Sequence, residues 1–388
     1  VENPFQVRPA VEKMYAERLE ELRKEVRNLR AEEQAWAAEN PTKAQLQANW
    51  FANRLPQLPW GEIEHKANSA TRNGSKTILA MLSKHVPNMI VSSADLCNSD
   101  KTDGFLAHTT EISRTNFAGG FFQAGVSELS MACICIGMML HGGIITAMGT
   151  FFVFSDYMKP AIRMAALMEI PVKFIWSHDA FRVGEDGPTH EPVEQEAQIR
   201  LMEKLKNHHG KDSVRVLRPC DNQENTQCWK MAMENTDTPT ALIFSRQDVR
   251  DLPAGTDYTQ AQKGAFEVIK EAHPDVILVA NGSEVGTLCD TQQLLQKEGI
   301  KARVVSCPSE GLFRLQSKEY QDTLLPKNVK TFALTAGLPV TMEGLVGLQG
   351  RIHGLSSFGF SAPYKVLDEK LGFTPEHIYK EIVDFVKN

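Results

Sequence analysis

Apolar and polar positions divide the chain into two regimes. Residues 11–40 are dense in Glu, Arg, Lys and Ala, with apolar residues only at sparse intervals. This pattern predicts one or two exposed helices that pack along a larger body by a narrow stripe. Pro56, Pro59 and Gly61 mark the end of this arm, and no chemistry is assigned to it. From about Ala67, short apolar runs alternate with helical stretches in the rhythm of an α/β domain. Residues 77–85 read as a helix, and 88–93 as a strand opening into 94–99. A helix from about Ser127, a strand over 143–150, a helix over 156–168 and a strand over 171–176 follow. Strands at 214–217 and 240–244 complete a mostly parallel, doubly wound sheet. Residues 252–255 read as a linker. A smaller α/β unit then has strands at 275–280, 302–306 and 329–334 and a last helix at 375–386. The expected fold class is therefore α/β, with two doubly wound domains behind a helical linker arm. Its expected divisions are 1–65, 66–252 and 253–388.

Composition narrows the partners. A chain of 388 residues with 42% hydrophobic and 23% charged residues is that of a globular protein of more than one domain. A formal charge of -6 supplies no broad basic field, so nucleic acid is not an expected partner. An anionic ligand has to be held by a few placed cations. The most apolar region, 131–154, is interrupted by His141, Gly142 and Gly143. It reads as a buried helix and a buried strand, with no membrane span. Seven cysteines with no CxxC pair fit a reducing, cytoplasmic compartment. Cys133 and Cys135 lie in the apolar run and read as buried thiols. The chain opens on Val1 and not on Met, which points to a piece of a longer subunit or a processed product.

Candidate chemistry concentrates at 177–190. This stretch carries His178, Asp179, Glu185, Asp186 and His190 beside Gly184, Gly187 and Pro188. It follows the 171–176 strand, and loops leaving the carboxyl ends of strands are where open α/β sheets bind ligands. A solvated turn with incidental histidines is the plain alternative. Glu128 opens an otherwise apolar helix. It is either a carboxylate favoured by the helix dipole or one set in an apolar pocket to share a proton with a ligand nitrogen. Residues 149–157 hold Phe151, Phe152, Phe154 and Tyr157, which are either core or a platform for a flat heteroaromatic ring. Arg72, Ser99, His178 and Arg246 each fall near an element end. Arg246 reads either as a salt-bridged surface residue or, with His178 and Ser99, as part of a phosphate site.

Several blocks in order carry a family resemblance: GTF at 149–151, FSDY at 154–157, AIRMAALM at 161–168, and HD…GEDGPTH.PVEQ over 178–195. RP.D..E at 218–224, PTALI.SRQ at 239–247, NGSEV at 281–285 and FGFSAP at 358–363 continue it. From about Asn68 to the C-terminus the chain resembles transketolase, the thiamine diphosphate enzyme of the pentose phosphate pathway. The resemblance implies that Glu128 pairs with N1′ of the cofactor's aminopyrimidine and takes part in activating its thiazolium carbon. It implies that Phe151 stacks on that ring, with Phe154 and Tyr157 completing the pocket and Asp95 beside the cofactor. Asp186 and His190 are expected at the donor sugar's hydroxyls, with His190 also catalytic. Arg72, Ser99, His178 and Arg246 are expected to hold the sugar phosphate.

Two positions depart from the family's pattern. Ala180 stands where relatives usually carry Ser, and Thr335 where they commonly carry Glu. A larger departure is that no GDG motif occurs. The family uses that motif, on a preceding domain, to bind the diphosphate and its Mg²⁺ (or Ca²⁺). No metal ligand is therefore assigned to this chain. The resemblance implies a homodimer-type assembly in which a diphosphate-binding domain, in the same longer chain or a separate subunit, meets this pyrimidine-binding part. The chain alone is expected to be inactive. The assembled enzyme is expected to move a two-carbon ketol unit from a xylulose 5-phosphate type donor to a ribose 5-phosphate or erythrose 4-phosphate type acceptor. Rival readings are a dihydroxyacetone synthase or deoxyxylulose phosphate synthase type enzyme, and a catalytically silent transketolase-like binding protein.

Overall fold

The structure, a computed structural model, describes residues 3–388. It divides into two compact units, residues 1–54 and 55–388. The first consists of two helices, Pro9–Glu39 and Pro41–Phe51, each with proline in its first turn, where the missing N–H costs nothing. No residue of either helix is buried. Tyr15, Leu19, Leu22, Val26 and Leu29 recur at spacings of four and three, which sets them on one face.

The second unit holds two sheets. The first contains β1 (Met89–Ser93), β2 (Phe121–Gln123), β3 (Ile145–Phe151), β4 (Lys173–Ser177), β5 (Arg215–Leu217) and β6 (Thr240–Phe244). Its strands run all parallel in the order β2-β1-β3-β4-β6-β5. Side-chain alternation explains the burial of both faces. Phe174, Trp176, Ala241 and Ile243 pack with Met131 and Cys135 of helix Glu128–His141 and Ile162 of helix Ser155–Leu167. Their neighbours Ile175, Leu242 and Phe244 face the other way. They meet Ile78 and Leu82 of helix Thr71–His85 and Trp229 of helix Asn222–Glu234.

The second sheet contains β7 (Phe266–Ile269), β8 (Val276–Ala280), β9 (Ala302–Ser306), β10 (Lys330–Leu334) and β11 (Arg351–His353), in the order β11-β10-β8-β9-β7. Only β7 runs antiparallel, with a register shift between Glu267 and Ile269. Val276, Leu278 and Ala280 face one core, and Ile277 and Val279 the other.

Buried charges join the ends of the two sheets. Arg218, just after β5, contacts Asp179 at 2.7 Å, Glu284 at 2.7 Å and Glu196 at 3.4 Å. Arg182 bonds Glu284 at 2.5 Å and Asp368 at 2.7 Å. Glu284 begins helix Glu284–Lys297, packed on the second sheet. Burial opposes its ionisation, but the two guanidinium groups outweigh that and hold it below the ordinary carboxylate range. The RP.D..E and NGSEV blocks thus meet at a structural joint. Asp221 caps helix Asn222–Glu234 and accepts from Tyr258, and Glu224 accepts from Ser306 of β9 at 2.8 Å.

Three expectations change. Strands β2, β7 and β11 were not anticipated, being only three or four residues long. Helix Thr71–His85 begins six residues before the expected start at Thr77. Tertiary bonds stabilise that weak first turn: Thr71 hydroxyl donates to Ser245 Oγ at 3.2 Å, and Asn225 donates to the Thr71 carbonyl at 2.8 Å. Cys135 is buried but Cys133 is exposed, because helix positions two apart do not share a face. Among the described residues, no helix is long and apolar enough to cross a membrane.

Candidate active site

Strands β1, β3, β4 and β6 are consecutive neighbours, so the residues leaving their carboxyl ends form a row. Asp95 follows β1, Phe151 ends β3, His178 follows β4 and Arg246 follows β6. Asp95 and His178 both adopt left-handed backbone, with φ of 62° for each. Such conformations cost non-glycine residues energy and are concentrated at functional sites. Helix starts face the same region: Arg72 lies in the first turn of Thr71–His85, and Glu128 is the first residue of Glu128–His141.

The cations form one group. Arg72 Nη1 donates to the Ser99 carbonyl at 2.8 Å and lies 3.5 Å from His178 Nε2. A guanidinium can only donate, so Nε2 of His178 is the accepting nitrogen and Nδ1 carries the proton. That proton goes to Ser177 Oγ, 2.8 Å away. Burial, then the positive charges of Arg72, Arg246 and His190, push His178 down to about 2. His178 is therefore a neutral imidazole throughout the ordinary pH range. Burial and the charge of Arg246 also lower Arg72. Arg72 Nε is buried without a hydrogen-bond partner. Arg72 and Arg246 thus bring two positive charges near one another, with Asp248 and Asp100 partly offsetting the charge on Arg72.

Aromatic rings adjoin these cations. The Phe151 centroid lies 3.6 Å from that of His178, with planes inclined by 29°, and 5.9 Å from that of Phe154 at 10°. Tyr157 continues the series, 6.1 Å from Phe154. His190 stands edge-on to Phe154 at 5.5 Å and to Phe151 at 6.3 Å. His178 covers one face of Phe151, which is only 7% exposed, while Tyr157 is 62% exposed. A flat ligand therefore reaches Phe154 and Tyr157 more readily than Phe151.

Glu128 is buried as the first residue of its helix, between the exposed Val126 and Leu129. Asp186 is exposed on the loop before His190. Asp95 and Ser99 line a separate hollow of about 730 Å³ together with Asn98, Glu111 and Gln123. The structure thus brings Arg72, Ser99, His178, Phe151, Phe154, Tyr157 and His190 into one contact set. Arg246 joins them through its charge.

Sequence reasoning missed two supports. Ser177, which fixes the His178 tautomer, ends the apolar strand β4 and was given no role of its own. Asp100 lies fully buried and accepts from Ser93 Oγ and from the Thr102 hydroxyl, each at 2.7 Å. Burial raises it to about 6, and these bonds offset only part of the shift. A methyl on Gly149 would lie 2.7 Å from Asp100 Oδ2, so the absence of a side chain there admits this carboxyl. The signal in the sequence was a glycine at a strand position.

These features define two joined doubly wound α/β layers with a cation-and-ring cluster at the carboxyl ends of a parallel sheet. Residues 67–251 match the family described as "Transketolase, pyrimidine binding domain" and 264–374 that described as "Transketolase-like TK C-terminal domain". The chain is 41% identical to the transketolase of Halalkalibacterium halodurans over 324 residues, covering 82% of this chain and 47% of that protein. A transketolase structure from Leishmania mexicana superposes with a TM-score of 0.90 at 30% identity, over 99% of this chain and 56% of that one. A structure titled as a split gene transketolase, inactive β4 tetramer, shares the fold with a TM-score of 0.63 at 22% identity. It covers 82% of this chain and 99% of that one. The chain belongs to the transketolase family, and it spans about half the length of the curated relatives it matches.

Proposed function

We propose that this chain supplies the pyrimidine-binding and C-terminal parts of a ketol-transferring transketolase of the pentose phosphate pathway, with domains at 66–252 and 253–388 behind the arm 1–65. The carrying observation is the pairing of Arg72 and Arg246 with a neutral His178 at the strand ends, directly against the Phe151, Phe154 and Tyr157 rings. A phosphorylated sugar and a flat heteroaromatic ring are the ligands this combination suits.

The residues present fit one half of thiamine diphosphate. The half-buried Phe154, the exposed Tyr157 and the buried carboxyl of Glu128 suit an aminopyrimidine. The diphosphate and its Mg²⁺ (or Ca²⁺) fit poorly. Among the described residues, the one group of three possible metal ligands is His353, His377 and Glu381, with two imidazoles where a hard cation takes oxygens. The metal half then belongs to a diphosphate-binding domain, in the same longer chain or a partner subunit. A homodimer-type site between subunits in the cytoplasm completes the reading. The seven free thiols suit that compartment.

When bound, thiamine diphosphate supplies the carbon nucleophile of ketol transfer. Glu128 would hold the proton shared with pyrimidine N1′, and Asp95 would border the cofactor from the adjoining strand end. Phe151, Phe154 and Tyr157 orient the ring and exclude water. Arg72, Arg246, Ser99 and the neutral His178 bind the sugar phosphate. Asp186 and His190 hold donor hydroxyls, and His190 passes a proton at the sugar oxygen.

Intact-mass and N-terminal analysis of the natural protein, with a ketol-transfer assay on the same sample, tests this reading. The assay contains xylulose 5-phosphate, ribose 5-phosphate, thiamine diphosphate and Mg²⁺. Ketol transfer by a longer natural chain, or by this chain with a diphosphate-binding subunit, supports the reading. No transfer in either arrangement overturns it.

A further inference from the structure

The second sheet carries a cluster that ketol transfer does not use. His353 ends the edge strand β11, and His377 and Glu381 lie one turn apart on the last helix, Pro375–Lys387. Glu381 Oε1 lies 3.1 Å from His353 Nδ1 and 3.1 Å from His377 Nε2. One ligand atom from each residue lies within 4.8 Å of the others. Donors about 2.0–2.1 Å from a tetrahedral ion stand roughly 3.3 Å apart, close to the 3.1 Å that separates Glu381 from each imidazole.

The proton inventory supports an ion at this place. His353 Nε2 lies 3.1 Å from the Leu371 carbonyl, which can only accept, so Nε2 carries the proton. Nδ1 of the neutral ring then turns a lone pair towards an ionised carboxylate oxygen, which also only accepts. A proton or a cation has to stand between them. The carbonyl bond on the far nitrogen is the arrangement that orients metal-bound histidines. Phe373, edge-on to His353 with centroids 4.8 Å apart, fixes the ring further. Gly372, at φ 78°, lets the chain pass close to both imidazoles: a Cβ there would lie 2.8 Å from His377 Nε2 and 3.1 Å from His353 Cε1. The nearby cation Arg351 is tied to Asp384 at 2.8 Å, which offsets its charge.

We propose that His353, His377 and Glu381 bind one divalent late first-row cation of the Zn²⁺ class, clamping the edge strand to the last helix. Two imidazoles and one carboxylate select such an ion over Mg²⁺ or Ca²⁺. His377 is half exposed, with 51% of its side chain accessible, so the fourth position opens to water. This site lies apart from the phosphate-and-ring cluster and does not depend on the function proposed above.

The test uses untagged full chain, stripped with a chelator, then titrated with Co²⁺ by visible absorption and with Zn²⁺ by calorimetry. One equivalent should bind, with the intense visible bands of four-coordinate Co²⁺. His377→Ala and Glu381→Gln, both at partly exposed positions, should each weaken binding at least about tenfold. Unchanged far-ultraviolet dichroism would show that the variants remain folded. Absence of saturable one-equivalent binding overturns the proposal and leaves a proton between His353 and Glu381. Binding undiminished in either variant also overturns it.

Discussion

Replacing Arg218 with methionine should destabilise the chain severely. The guanidinium is 1% exposed and faces three carboxylates, Asp179, Glu196 and Glu284, that are themselves buried. It also donates to Asn281 Oδ1 at 2.6 Å. Methionine fills much of the volume but leaves these acids with one fewer cation in a medium that solvates charge poorly. Removing one partner of a buried pair costs about 3–5 kcal/mol, and with more than one carboxylate affected the upper part of that range applies. Lys318→Ala serves as a control, since its pair with Asp322 is exposed on both sides and such pairs contribute about 0.3–0.5 kcal/mol. Urea unfolding followed by far-ultraviolet dichroism and tryptophan fluorescence measures both. Burial already raises Asp179 despite Arg218, and removing the guanidinium raises it further. Because the folded variant then prefers the protonated acid, its deficit should shrink as pH falls. Asp179→Asn added to Arg218→Met should recover part of the loss. A loss below about 1 kcal/mol, comparable to an exposed pair, would refute the claim that this cluster joins the two sheets.

Other predictions concern the site. Glu128→Gln in the complete enzyme should leave folding intact and lower kcat by about two orders of magnitude or more, checked by steady-state kinetics beside a thermal melt. Arg246→Ala should raise KM for phosphorylated sugars and leave unphosphorylated ones little changed. An equal loss on both would make Arg246 structural. By heteronuclear NMR, His178 should remain neutral from about pH 4 to pH 8, since an unperturbed histidine titrates near 6.5. The linkage sign follows: a depressed histidine leaves the unfolded chain binding more protons below about 6.5, so stability is lost as pH falls through that value. His178→Gln should flatten part of that acid slope in urea midpoints measured between pH 7 and pH 5.

Much of both sheets was legible in the sequence because β4, β6 and β8 are runs buried on both faces, bounded by turn residues. Strands such as β2 and β11 have three residues and take their conformation from a neighbouring strand, so no local period announces them. The site was legible where chemistry and position coincided, as at His178 after a strand and Arg72 near a helix start. The tautomer set by Ser177 was not legible. Neither was the ring of His178 lying on Phe151, because Arg72 and Phe151 reach His178 only once distant elements pack together. Arg218 and Glu284 could be read as motif members, but nothing local shows that their motifs face one another across two sheets. His353 likewise meets His377 and Glu381 only after the edge strand docks beside the last helix.

The most direct measurement is ketol transfer by this chain with and without a transketolase diphosphate-binding half, in the presence of thiamine diphosphate and Mg²⁺. The account predicts no transfer from the chain alone and saturable transfer on addition of that half, abolished by Glu128→Gln. Full activity from the chain alone would contradict it, as would transfer that ignores Glu128.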